Sequence, residues 1–418
     1  MSIGYACLAV GVINTELKNC IIKNASNDKL LALIDYNLKS LENMIDYNGR
    51  NNIKLFRISS SLIPFGSSEV NNLFWRDIFS DQLKKIGDKI RNSEMRVSMH
   101  PGQYTVLNSP KIDVVNRAID DLNYHAQVLD SFGLNPAHKI VLHIGGVYNE
   151  KERAIRSFIT NFNGLDEKVK QRVVLENDDK SYNITDVLEI GTCLNAPVVF
   201  DNLHHEINSN NQRKSDYDWI RECRKTWKKK DGVQKIHYSQ QNLLKKPGSH
   251  SSTIRINEFL HFYEGLETKD IDIMLEVKDK NLSAIKCINC TTQQGKIKVL
   301  ELEWRKYKYK ILENSPLHYL EIRKLLRNKD QYPAIDFYNL LESALENEMS
   351  VGNSINAAQH IWGYFKDVAS EKEKKLFLKS IEGYIEGKTS LKAIKNILWR
   401  MTVQYNEAYL LDSLYFAI

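Results

Sequence analysis

Ile140-Val141-Leu142-His143 and Val173-Val174-Leu175-Glu176 decide the fold. Each is a short, unbroken apolar run that stops on a side chain able to bind a metal. A run without polar alternation reads as a strand buried on both faces, which implies a parallel sheet covered by helices. The pattern recurs outward in both directions. Val97-Ser98-Met99 runs into His100, Val198-Val199-Phe200 into Asp201, and Ile273-Met274-Leu275 into Glu276. A shorter run precedes His237. Two earlier ones, Ile3-Gly4-Tyr5 and Ile53 to Phe56, end near Tyr5 and Arg57. Roughly 25 to 50 residues separate neighbouring runs, enough for a crossover helix and its loops. Eight such units imply an α/β fold, a (β/α)8 TIM barrel, with its active site at the strand C-termini. The polar residues that end the runs should converge on one mouth.

The chain has 418 residues, whereas one barrel takes ~250. A second domain is expected. After the polar stretch Gln293 to Lys298 the valine-rich runs cease and a 3.6-residue periodicity takes over. Helices are expected at Arg305 to Glu313, Leu317 to Leu326, Ala334 to Glu348, Ile355 to Lys366, Ser370 to Ile385 and Leu391 to Gln404. Ser370 with Glu373 fits a capping box and Gly387 a C-terminal stop. The expected division is a barrel over residues 1–295 and a smaller all-α domain over 300–418. Within the barrel, Asp113 to Phe132 and Thr185 to Leu194 read as crossover helices.

Hydrophobic residues make up 42% and charged residues 26%, ordinary for a globular protein. No apolar stretch approaches the ~20 residues of a membrane helix, and the N-terminus runs straight into an expected strand without a signal sequence. A cytoplasmic protein with no membrane partner is expected. Six scattered cysteines argue against a disulfide scaffold. A net charge of +6 permits nucleic-acid binding without requiring it.

The side chains expected at the mouth are His100, His143, Glu176, Asp201, His204, His237, His250 and Glu276. Of the pair His204-His205, spacing from Asp201 favours His204. Imidazole and carboxylate together suit Mn2+, Zn2+ or Fe2+. A lone His or Glu at a strand end is ordinarily a hydrogen-bonded rim residue, but ligand types at six strand ends argue for a site. They exceed the three or four ligands of one catalytic metal, so two or three divalent ions are expected. Clustered divalent ions suit phosphoryl chemistry, in which one activates water to hydroxide and another stabilises the leaving oxygen.

Ser98-Met99-His100-Pro101-Gly102-Gln103-Tyr104, Leu142-His143-Ile144-Gly145-Gly146, Leu175-Glu176-Asn177-Asp178, Asp201-Asn202-Leu203-His204-His205, Lys235-Ile236-His237, Gly248-Ser249-His250 and Glu276-Val277-Lys278 resemble the ultraviolet-damage endonuclease family (UvdE type). So does Leu55 to Ser61 with Pro64 following. The match runs in order over residues 1 to about 290. The resemblance implies a DNA repair enzyme akin to endonuclease IV in fold and metal use. It would nick damaged double-stranded DNA 5′ of cyclobutane dimers, (6-4) photoproducts and abasic sites, with up to three Mn2+ ions. It further implies catalytic roles for Glu176, Glu276 and Lys235, the last matching a lysine that can be carboxylated. A lysine two residues before His237 shares its strand face. Gln103 and Tyr104 match a pair that wedges into the duplex where the lesion is flipped out, and Tyr5 matches a lesion-contacting aromatic. Two positions depart from the family pattern. Ala9 stands near where some relatives carry Asn. Ser67 and Ser68 stand where relatives carry a metal-binding His, which would leave one metal position short of a ligand.

The C-terminal region, through Tyr307 to Leu326 and Asn356 to Lys366, resembles the YbgA-like domain of uncertain function. Its Trp304-Arg305-Lys306-Tyr307-Lys308-Tyr309-Lys310 run reads in two ways: stacking on bases with phosphate contacts, or a solvated helix face whose aromatics pack on a core. Cys287-x-x-Cys290 has no second pair and reads as helix packing. Alternatives to the photoproduct reading are an abasic-site endonuclease of endonuclease IV type, a sugar isomerase on the same barrel, and a non-catalytic lesion binder. The surplus of ligands and the Gln103-Tyr104 pair speak against the isomerase, and the intact ligand set speaks against the non-catalytic binder. Protein partners are not legible in the sequence.

Overall fold

The computed structural model describes residues 1–209 and 212–418. It divides into two compact units. The first comprises Met1–Ala9, Asn14–Ile254 and His261–Ile288, and the second Val10–Ile13, Arg255–Leu260 and Asn289–Ile418. The division is therefore not a single cut in the chain.

The first unit is a closed barrel of eight parallel strands in chain order. They are β1 (Ser2–Ala6), β2 (Leu55–Ile58), β3 (Arg96–Met99), β4 (Lys139–His143), β5 (Val173–Glu176), β6 (Val198–Asp201), β7 (Lys235–Tyr238) and β8 (Asp272–Leu275). β8 pairs with β1, Ser2 opposite Asp272 and Tyr5 opposite Leu275, which closes the ring. Gly4 permits the approach of β1 to β2, because a Cβ there would collide with the Leu55 carbonyl. Helices such as Asn27–Arg50, Ile112–Ser131 and Ile184–Leu194 cover the outside.

Two strands differ from expectation. β2 begins at Leu55 rather than Ile53, because the Ile53 amide bonds to the Asn48 carbonyl at the end of the preceding helix (2.9 Å). β7 continues through His237 to Tyr238, so His237 stands within its strand. Cys287 and Cys290 lie on the helix Asn281–Thr291 and are not disulfide-bonded.

The second unit is helical: Ile297–Asn314, Pro316–Leu325, Ala334–Glu346, Val351–Trp362, Glu371–Ile385 and Leu391–Gln404. The first helix starts before Arg305 and takes in Ile297 and Lys298 from the expected linker. The helix expected from Ile355 starts at Val351, because Ser350 caps it by accepting from the Asn353 amide (3.1 Å). The Ser370–Glu373 capping box is formed, and Gly387 takes the left-handed conformation (φ +72°) that stops a helix. Ala357, Ile361, Phe365, Phe377, Ile394, Leu398 and Met401 belong to its apolar core. Among the described residues no helix is long and apolar enough to cross a membrane.

Candidate metal centre

Strand alternation sends every second side chain into the barrel. Val141, Val174 and Val199 form one buried apolar cluster, and Ala6, Leu55 and Met274 another. Two positions further along the same strands stand His143, Glu176, Asp201, Arg57 and Glu276. An apolar floor thus carries a polar layer at the mouth.

Glu176 is the hub of that layer. Fully buried, it lies 3.0 Å from His100 Nε2, 3.3 Å from His143 Nε2 and 2.5 Å from His237 Nδ1. Among the described residues three groups of ligand atoms are close enough to share an ion, and each includes Glu176: His100–His143–Glu176, Glu176–Asp201–His204 and Glu176–His237–Glu276. His250 stands at the edge, its Nε2 3.8 Å from Glu276 Oε2, on a loop where it bridges to Gln241. Seven of the eight expected ligands thus fall into the three groups, and His250 adjoins them.

Local structure fixes which atoms face inward. Asp201 caps the short helix Asn202–Ile207 by accepting from the His204 amide (2.8 Å). That turn brings His204 to the cluster, while His205 packs on Phe200 and Trp219. His204 Nδ1 donates to the Asn177 carbonyl (2.9 Å) and His100 Nδ1 to the Pro101 carbonyl (3.1 Å). These bonds assign Nδ1 of each ring to a carbonyl and turn Nε2 toward the cluster, on His100 against Glu176 (3.0 Å), the ring orientation usual for metal-bound histidines.

The electrostatics also fit cations. Burial alone would raise the Glu176 carboxyl, but His237, His143 and His100 hold it well below the usual range. Burial would likewise raise Glu276, and the Arg57 guanidinium overcomes it. Asp201 is pushed up by burial and by the charges of Glu176 and Glu276, despite His204. Burial lowers His204, but Asp201, Glu176 and Glu276 raise it to about 9. Buried His143 Nδ1, Asp201 Oδ2 and His237 Nε2 have no hydrogen-bond partner among the described residues, an arrangement costing roughly 1–3 kcal/mol per group. The imidazole and carboxylate donors, crowded lone pairs and orphaned atoms all fit divalent ions.

Lys235 points into the barrel and is fully buried, its Nζ without a partner among the described residues. Burial and the charges of Arg96, Arg57 and Lys139 hold its amine well below the usual lysine range, against Asp272. It belongs to none of the three groups. Gln103 and Tyr104 are exposed on the loop after β3, Tyr104 at 68%. Tyr5 requires a correction. It is fully buried, with its ring on Phe56 and its hydroxyl donating to Asn48 on a covering helix (2.8 Å). Gly4 and Ala6 take the other face of β1, so Tyr5 points away from the mouth. Ser68 accepts from the nearby Val70 amide (3.3 Å).

Two features carried no role in the sequence reading. Arg57 forms an ion pair with Glu276. Beneath His100, Ser60 Oγ donates to the His100 carbonyl (2.7 Å) and lies 2.9 Å from His125 Nε2. His125 Nδ1 donates to the Asp121 carbonyl (2.6 Å), and the Asp121 carboxylate accepts from Thr105 Oγ1 (2.6 Å). This network ties both His100 and the Gln103-Tyr104 loop to the helix Ile112–Ser131. Asp121 and His125, polar at i and i+4 beside the apolar Leu122 and Ala126, were the available signal.

Residues 1–305 match the family model described as UV-endonuclease UvdE, and residues 308–418 match a protein of unknown function (DUF1722). The chain is 41% identical over 387 residues to the UV DNA damage endonuclease of Clostridium perfringens (strain 13 / Type A), covering 91% of this chain and 92% of that one. Identity to the UV DNA damage endonuclease of Bacillus cereus (strain G9842) is 33% over 270 residues, 64% of this chain and 84% of the relative. The crystal structure of SacUVDE matches with a TM-score of 0.66 at 39% identity, across 69% of this chain and 97% of that one. On these matches, and on a closed barrel of the same fold, the chain belongs to the UV-endonuclease UvdE family.

Proposed function

We propose that this chain is a metal-dependent DNA endonuclease that nicks duplex DNA 5′ of cyclobutane dimers, (6-4) photoproducts and abasic sites. The observation that carries this reading is one mouth holding three Glu176-centred ligand groups, with exposed Gln103 and Tyr104 on an adjoining loop. Mn2+ ions, two or three in number, held by His100, His143, Glu176, Asp201, His204, His237, His250 and Glu276, would supply Lewis-acid activation of water and of the scissile phosphate.

The chain's own groups do the rest. Arg57 holds Glu276 ionised, and the hydrogen bonds of His100 and His204 to backbone carbonyls fix their rings. Burial shifts the Lys235 amine toward its uncharged form, the form that would add CO2 and release one proton to become a carbamate, a negative group fitting a cationic site. Gln103 and Tyr104 would fill the gap left by an extruded nucleotide. Leu243 and Leu244, at 88% and 96% exposure on the loop that carries His250, would offer a second apolar contact to the duplex.

The test is nicking of duplexes that each carry one defined lesion, with Mn2+ and with chelator. A nick 5′ of the lesion, leaving 3′-hydroxyl and 5′-phosphate ends and absent in chelator, is expected. Equal cleavage of undamaged duplex would refute lesion specificity. Cleavage of abasic duplex alone would establish the narrower activity.

A further inference from the structure

The helix Ile297–Asn314 divides the Trp304 to Lys310 run by face. On one face Lys306 pairs with Glu303 (2.7 Å), Lys310 pairs with Glu313 (2.8 Å), and Tyr307 is buried. On the other face Arg305 and Lys308 have no carboxylate partner among the described residues. They are instead held over aromatic rings. Arg305 Cζ and Lys308 Nζ each lie 4.3 Å from the Tyr409 centroid. Arg323, from the helix Pro316–Leu325, lies 5.7 Å from the Tyr319 centroid, and that ring meets Trp304 at 5.3 Å. It too lacks a carboxylate partner among the described residues. Burial lowers the Lys308 amine, the Tyr364 hydroxyl beside it raises it, and the Arg305 and Arg323 charges lower it further, which sets the three cations in one locality.

A cation on an aromatic face is oriented without being neutralised, and its N–H donors remain available. Among the described residues buried Arg305 Nε has no hydrogen-bond partner, and Nη2 only reaches the Ala408 carbonyl at 3.4 Å. The nearby Glu407 carboxylate accepts from the Tyr409 amide (3.2 Å). The platform beneath is well braced: Tyr364 stacks on Tyr409 (5.8 Å, 23°), and its hydroxyl bonds to that of Tyr309 (2.7 Å). Cations gathered without a carboxylate, here Arg305 and Lys308 half-buried and Arg323 exposed, repel one another until an anion joins them. A phosphate offers the several oxygen acceptors such donors need.

We propose that Arg305, Lys308 and Arg323 form a phosphate-binding cradle in the helical unit. Its ligand is a phosphate group, carried either by a nucleic-acid strand or free in solution. The cradle stands independently of the metal-centre reading.

The test uses the full chain in chelator, so that nothing is cleaved. The probes are a fluorescein-labelled undamaged 20-nucleotide single strand, followed by anisotropy, and inorganic phosphate, followed by calorimetry. R323E and K308Q should each weaken binding roughly tenfold, and the strand's log–log salt slope should become shallower by about one unit per cation lost. R323K should restore it. Arg323 is exposed, so R323E and R323K decide the matter if K308Q does not fold. Loss confined to inorganic phosphate would identify a free anion as the ligand. Unchanged binding of both probes in a folded R323E protein would overturn the proposal.

Discussion

Replacing Arg57 with Met should destabilise the metal-free barrel much more than the metal-loaded one. Arg57 and Glu276 form an ion pair with side chains only 13% and 10% exposed. His237 Nδ1 lies 3.3 Å from the same carboxylate, and buried Glu176 and Asp201 are close by. Removing one partner of a buried pair costs about 3–5 kcal/mol. Proton uptake by the abandoned Glu276 caps the loss near the lower end, at about 3 kcal/mol. For a unit of this size that is about 6 °C in Tm, at roughly 2 °C per kcal/mol. Bound divalent cations neutralise the same carboxylates, so at saturating Mn2+ the loss should shrink to about 1 kcal/mol. The assay is thermal melting of both proteins in chelator and in excess Mn2+. An equal drop in the two conditions would show that Arg57 supports the fold and not the charge balance of the site.

Glu176→Gln should remove bound metal and depress nicking at least ~100-fold, while binding of a lesion duplex persists through phosphate contacts. Metal content per chain and a gel-shift check this, and near-native nicking would remove Glu176 from the ligand set. Replacing Gln103 and Tyr104 together with Ala should weaken cleavage of damaged duplex but move stability by only about 0.5 kcal/mol, because both are exposed. A large Tm drop with normal activity would make them a structural turn. A chain ending near Gly295 should still bind Mn2+ and nick, since every candidate ligand precedes residue 277. It loses the Glu342 carboxylate that accepts from the Ile256 amide (3.1 Å), a helix-start contact worth ~1 kcal/mol. A soluble, metal-loaded, inactive product would place part of the active site in the helical unit. Finally, His204 is raised to about 9 from an ordinary ~6.5. Its contribution to the metal-free fold is complete below the unfolded value and lost as pH rises through the folded one. Melting in chelator should therefore move down between pH 6.5 and 9, and a flat or rising Tm would contradict the charge assignment.

The barrel was legible because burial on both faces writes itself into sequence as uninterrupted apolar runs. The polar residues that stop those runs mark the mouth, so most of the ligand cluster could be read without any contact information. His204 was separable from His205 by its spacing from Asp201. The errors lie where one dimension does not suffice. Tyr5 was placed by motif, but strand alternation turns it outward against Asn48. Arg57 is an inward-facing cation inside a strand, which a search for run ends passes over. The Asp121–His125–Ser60 network joins residues some sixty positions apart, and no local period announces it. The helical unit was legible in its elements but not in its boundaries, since Val10–Ile13 and Arg255–Leu260 enter it from distant parts of the chain.

The pairing of Ser2–Tyr5 with Asp272–Leu275 carries a consequence for synthesis. On a ribosome adding 5–20 residues per second, the first strand waits roughly 15–50 s for its second neighbour. Until then the nascent sheet has a free edge of unpaired backbone amides and carbonyls, formed of buried-type apolar sequence. Such an edge invites pairing with other chains. Yield of folded protein should therefore depend on nascent-chain concentration and on chaperone capacity more steeply than the stability of the finished ring would indicate.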